Sequence, residues 1–258
     1  MSHKNPRLVL LGALALLLLL PLSAAADDFA GKIEKAHGNA WETQAAFSTD
    51  IVVNFGGNTM IDGQMITDTP AGRSRFELKD GTVLVFDGQD AWTSPEDSAF
   101  QGARFHVLTW PYFLAAPWKL DDPGTHLKDL GKQPYKNGEK LKAARLTFDS
   151  GIGDSPDDWY VVYRNDKNQL AGMAYIVTFG TDVAEAEKEP HAITYHDFKK
   201  VDGVMIPTRW EFWNWSAEKG IFGDPIGEVT LKNPRFVNTD GKTFANPGNS
   251  RREDAPGR

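Results

Sequence analysis

Three groups of side chains in this chain could carry chemistry. His191 and His196 could ligate a metal, since neutral imidazole is a common ligand. Their spacing straddles the start of a predicted strand, which sends them to opposite faces and argues against one shared ion. Asp149, Asp154, Asp157 and Asp158 stud the loop Asp-Ser-Gly-Ile-Gly-Asp-Ser-Pro-Asp-Asp. Calcium takes such oxygen-rich loops, but the consensus calcium loop with its terminal Glu is not matched. A solvated turn between strands is the plainer account. The same carboxylates, paired with a distant His126, His191 or His196, would suit a hydrolase. No G-x-S-x-G elbow, H-E-x-x-H helix, P-loop or G-x-G-x-x-G turn is present. Asn214-Trp215-Ser216 has the sequon form and reads as a chance match.

The third group is aromatic, with 8 Trp and 15 Phe. In Val204–Trp215 one face carries Val204, Ile206, Thr208, Trp210 and Phe212, and the other carries Met205, Pro207, Arg209, Glu211, Trp213 and Trp215. Trp159, Val161 and Tyr163 likewise oppose Tyr160 and Val162, which leaves no wet face there. A strand apolar on both sides must be covered on both, by helices, by curling of the sheet or by a ligand. Plain core is the bland reading of these rings. A ligand-facing cleft, or an exposed patch of Trp213 and Trp215, is the functional one.

Stepping from these residues to their scaffold, Asp28 to His37 predicts a short helix, with Phe29, Ile33 and Ala36 on one face and Gly38 as its stop. From Trp41 to Phe55 every second residue is apolar or Thr, which predicts one long strand closed by Gly56-Gly57-Asn58. Further strands are expected near 59–68, 73–78, 82–86, 91–93, 140–148, 159–164, 170–179, 192–198, 204–215 and 228–237. Lys79-Asp80-Gly81, Asp87-Gly88 and Asp202-Gly203 supply hairpin turns, because Asp-Gly adopts positive φ readily. Sequential hairpins make an antiparallel meander. Arg104–Trp118 departs from that pattern: it is apolar all round and reads as buried helix. Pro111 should break it into a short helix, a kink and a second turn. From Gly241 onward the composition predicts a frayed tail.

The start of the chain is a targeting signal by composition. Lys4 and Arg7 precede the apolar run Leu8–Leu22, and Ser23-Ala24-Ala25-Ala26 offers a small-residue cleavage site before Asp27. The apolar run is short for a membrane span. Residues 1–26 are therefore read as a removable signal peptide, 27–240 as one domain and 241–258 as the tail. The 258-residue chain carries a net charge of −7, and loss of Lys4 and Arg7 makes the remainder more acidic. Such a protein gains no Coulomb attraction to nucleic acid or to an anionic membrane surface, so nucleic-acid binding is not expected. With no Cys, disulfides, thiolate metal sites and a Cys nucleophile are excluded.

Two hairpins carry a family resemblance. Tyr195-His196-Asp197-Phe198-Lys199-Lys200-Val201-Asp202-Gly203-Val204-Met205-Ile206-Pro207-Thr208 resembles the "VDG turn, V-x-I-P-T strand" of the LolA/LolB outer-membrane lipoprotein-sorting superfamily. Phe86-Asp87-Gly88-Gln89-Asp90-Ala91-Trp92 resembles its "FDG-x-x-x-W" hairpin, and the likeness is nearest to secreted DUF6503-like members. The resemblance implies a mainly β (α+β) fold: a curved antiparallel sheet forming an incomplete barrel, with helices on the concave side. It implies an apolar or lipid-like ligand and no cofactor; the signal peptide predicts a periplasmic or secreted location, and the missing motifs a non-enzymatic protein without a metal. Phe47, Ile51, Phe86, Trp92, Phe105, Trp110, Phe113, Trp210 and Phe212 are the residues expected to line the cavity. An envelope protein partner bound through the Trp patch, and a hydrolase using the acidic loop, are the rival expectations.

Overall fold

Backbone preferences at the chain's glycines and prolines decide where its strands turn and where one helix nearly fails. The computed structural model describes residues 28–69 and 72–256; the segment read as a signal peptide lies outside them. Helix α1 runs Phe29–His37, with the Asp28 carboxylate accepting from the Gly31 amide at 2.9 Å and Gly38 closing it at φ 97°. Strand β1 (Ala46–Phe55) turns through Gly56 and Gly57, both at positive φ, into β2 (Asn58–Asp68). The meander continues through β3 (Ser74–Leu78), β4 (Val83–Phe86) and β5 (Ala91–Ser94). Helix α2 (Ala103–Ala115) follows, then β6 (Thr125–Pro134), β7 (Lys140–Phe148), β8 (Tyr160–Arg164) and β9 (Leu170–Tyr175). A single turn of helix, α3 (Val183–Ala186), precedes β10 (His191–Val201), β11 (Val204–Ser216), β12 (Gly220–Val237) and β13 (Arg251–Glu253).

Among the described residues these strands form one 13-stranded sheet, in the order β13-β5-β4-β3-β2-β1-β12-β11-β10-β9-β8-β7-β6. The named strand pairs are antiparallel, and the Asp202-Gly203 turn (φ 46° and 91°) sets Val201 opposite Val204 as its residue types predict. The N-terminal and C-terminal meanders meet at β1–β12, where Ile51 pairs with Leu231. The two ends of the strand order remain unpaired with each other, so the sheet is an open, LolA-like curved sheet. One contact pinches it: Ile221 at the start of β12 donates its N–H to the Tyr135 carbonyl beyond β6 at 2.6 Å.

Two apolar cores explain the strands that lack a wet face. Tyr160, Val162, Val204, Ile206, Trp210 and Phe212 join α1 and α2 in the larger core. Trp159, Val161, Tyr163, Trp213 and Trp215 face the other way into a smaller one. This second core is capped by Tyr135, whose hydroxyl donates to the Ala171 carbonyl at 2.9 Å, and by Lys136, whose ammonium sits 3.4 Å from the centre of the Trp213 ring. The exposed-Trp reading is therefore corrected. Trp213 and Trp215 are only 6% and 8% exposed, and their indole N–H groups donate to Thr194 and Tyr163.

Four other expectations differ from the structure. Trp41 lies in a 3-10 turn (Trp41–Thr43) before β1, held by a parallel stack on Trp118 at 4.5 Å. Pro111 does not break α2. It cannot donate to the Val107 carbonyl one turn earlier, but that carbonyl accepts instead from the buried Ser74 hydroxyl of β3 at 2.6 Å, so the helix continues. Strand β6 was not expected, because its row of Lys and Asp side chains is that of a solvent-facing edge. The C-terminal segment is not wholly frayed: Arg251–Glu253 pairs with β5, and Arg251 donates to the carbonyls of Glu96, Ser98 and Phe100.

Candidate functional site

Helix α2 lies on β3, β4 and β5 and turns Phe105, Thr109, Tyr112 and Phe113 toward the sheet strands across from it. Between them is a cavity of about 690 Å³, within the range of small-ligand sites. Phe55 and Met60 of the β1–β2 hairpin close one side. Phe148, Tyr160, Tyr175, His191 and Phe212 rise from β7 to β11, and the segments 119–125 and 152–158 form the remaining rim.

Of the nine residues expected to line such a cavity, Phe105, Trp110, Phe113 and Phe212 do so. They form one aromatic wall, with Trp110 and Phe113 each about 6 Å from Phe212 and Phe105 5.5 Å from Phe179. The other five lie elsewhere. Phe47, Ile51 and Trp210 are fully buried, Phe47 against Trp41 and Phe236, and Trp210 with its indole on the Pro207 carbonyl. Phe86 lies beneath the Arg104 guanidinium, and half-buried Trp92 reaches Asp87 at 3.4 Å. Period-two patterning tells which face a side chain takes; it does not tell whether the space there is filled.

The acidic loop reads as a solvated turn, and the structure turns its Asp154 and Asp158 inward. Arg104 of α2 holds Asp154 through two hydrogen bonds, at 2.5 and 3.0 Å, and is only 10% exposed. That bond strengthens the guanidinium's hold on its proton. Lys119 pairs with Asp122 at 2.9 Å. Asp158 accepts from both the N–H and the hydroxyl of Thr178, each at 2.7 Å and each on Oδ1. Burial nevertheless raises its carboxyl to about 6, against those bonds. His106, which accepts from the Trp110 indole at 2.9 Å, is held neutral by burial, its pKa lowered to about 4. Burial also lowers His191, which stacks on Tyr175.

The histidine readings separate cleanly. His191 lies in the cavity, whereas His196 meets Thr194 and Glu211 on another surface, so the two do not converge. Among the described residues no cluster of three or more His, Cys, Asp or Glu side chains could hold a metal. His126 does reach Asp149 at 2.7 Å, but both side chains are more than 60% exposed and outside the cavity.

An open antiparallel sheet with a helix-covered aromatic cavity is the architecture these residues define, and solved structures share the fold. The fold is similar to that of a LolA superfamily protein from Nitrosomonas europaea (12% identity, 84% of this chain and 96% of that one, TM-score 0.54). It is similar too to a domain described as outer membrane lipoprotein-sorting from Vibrio parahaemolyticus (12% identity, 84% and 94%, TM-score 0.51). A DUF1329 family protein from Desulfovibrio piger gives 12% identity, 84% and 95% coverage and a TM-score of 0.50. At this identity the likeness is one of fold. No protein-family model and no curated protein sequence matches the chain.

Proposed function

We propose that the protein is an exported binding protein that holds an apolar or lipid-like ligand in the cavity beneath α2. The observation that carries this reading is the cavity itself: about 690 Å³ bounded mainly by aromatic and aliphatic side chains, in a fold of the LolA type. Apolar walls of this kind gain by exchanging water for hydrocarbon. The N-terminal signal grammar supports a periplasmic or secreted location, as does the name of the Vibrio structure. Among the described residues no helix is long and apolar enough to cross a membrane.

Protein stripped of bound lipid should bind the uncharged dye Nile red saturably and at one site. Trp110→Ala and Phe113→Ala should each weaken that binding several-fold, with the fold intact by circular dichroism. Dye binding that never saturates, or that neither substitution changes, would remove the cavity from consideration.

A further inference from the structure

The cavity is not uniformly apolar, and three of its tyrosines stand side by side. Tyr112, Tyr160 and Tyr175 all line it, with ring centres 5.5 Å apart for Tyr112–Tyr160 and 6.2 Å for Tyr160–Tyr175. Among the described residues the enclosed Tyr112 hydroxyl has no hydrogen-bond partner. Buried hydroxyls are normally satisfied, so this one is an unfilled donor on a side chain that lines a ligand-sized space. Asp158 lies on the same lining. The other cavity carboxylates are matched by cations, Asp122 by Lys119 and Asp154 by Arg104. Among the described residues Asp158 accepts from the Thr178 N–H and hydroxyl rather than from a cation.

We propose that Tyr112, Tyr160, Tyr175 and Asp158 form a polar subsite that receives the uncharged, hydroxyl- or amide-bearing head of an amphiphile and turns away anionic heads. The proposal rests on the apolar-cavity reading above and adds the class of ligand. A neutral head can accept from Tyr112 and donate to Asp158, which satisfies both. A carboxylate or phosphate head can accept from Tyr112, but it then sits beside an unbalanced carboxylate in a low-dielectric space. The hydrocarbon tail lies along Phe105, Phe113 and Phe212.

The test is displacement of Nile red from lipid-free full-length protein at pH 8, comparing 1-monolauroyl glycerol with laurate below their aggregation thresholds. Monolauroyl glycerol should displace the dye at about tenfold lower concentration than laurate. Tyr112→Phe should raise the monolauroyl glycerol requirement about fivefold, the loss of one hydrogen bond, with displacement referred to the dye affinity measured for the same variant. Asp158→Asn should bring laurate within about twofold of the neutral lipid. Equal displacement by the two lipids in the native protein would overturn the subsite, as would a Tyr112→Phe protein that takes up monolauroyl glycerol as the native one does. Dye binding that neither lipid displaces would overturn it too while leaving the apolar cavity standing. Failure of the dye itself to bind would overturn both readings.

Discussion

Replacing Ser74 by Ala should destabilise the protein far more than the loss of one small side chain suggests, and Pro111 should control the cost. Ser74 is fully buried on β3, and its hydroxyl is the donor to the Val107 carbonyl at 2.6 Å. In an ordinary helix that carbonyl would accept from the amide four residues on, but position 111 is Pro and has none. Ser74→Ala therefore leaves a buried carbonyl without a donor, at a cost of about 1–3 kcal/mol. For a domain of this size that is a fall in Tm of roughly 2–4 °C per kcal/mol. Pro111→Ala restores an amide that can reach Val107 within the helix. In that background Ser74→Ala should cost less than about 1 kcal/mol, since the carbonyl keeps a donor. Urea or thermal unfolding of the four proteins gives the coupling directly. If Ser74→Ala costs the same in both backgrounds to within about 0.5 kcal/mol, the two sites act independently and this account of α2 is wrong.

Two further outcomes follow from the same coordinates. His37, bonded to the Met205 carbonyl and the Leu170 amide, is held neutral by burial with its pKa lowered to about 4, as is His106. The unfolded chain takes up those protons first, so stability is full above about pH 6.5 and falls as pH drops toward 4, by at most about 3 kcal/mol per histidine. Asp158 works oppositely in that window: burial raises its pKa to about 6, so the folded state gains the proton first and recovers some stability. Asp158→Asn should therefore steepen the loss of stability on acidification, measured by denaturant unfolding from pH 7 to 4; an unchanged slope would contradict the assignment. Gly220 has φ 71°, and an added Cβ would lie 2.4 Å from the Tyr135 carbonyl oxygen. Gly220→Ala should break the Ile221–Tyr135 contact and cost about 1–3 kcal/mol, with faster amide exchange at Ile221; native-like exchange there would refute the steric argument.

Much of the sheet was legible because its signals are local. Alternating residues in Val204–Trp215 placed Trp210 and Phe212 opposite Trp213 and Trp215, and the structure puts those pairs in separate cores. Asp202-Gly203 marked its hairpin by φ preference alone. What escaped the sequence depends on partners distant in the chain. Nothing near Pro111 announces that Ser74 will lie beneath it. Trp41 continues the alternation of β1, yet its stack on Trp118 takes it out of the strand. At the site, Phe105, Trp110, Phe113 and Phe212 were readable as apolar side chains on inward faces. The polar subsite was not, because Asp154 and Asp158 lie in a Gly- and Ser-rich stretch with the composition of a wet turn. Only the Arg104 bond and the Thr178 bonds reveal that this stretch turns inward.

Strand β13 gives the molecule a self-supplied guard. Thr93 donates to Glu253 at 2.6 Å and Arg252 pairs with Asp90, so the last few residues occupy a border that would otherwise offer bare amides and carbonyls to any extended peptide. A chain shortened before Arg251 would keep its cavity and its cores but acquire an adhesive rim along β5. Self-association by strand addition, rather than unfolding, would then be its first failure.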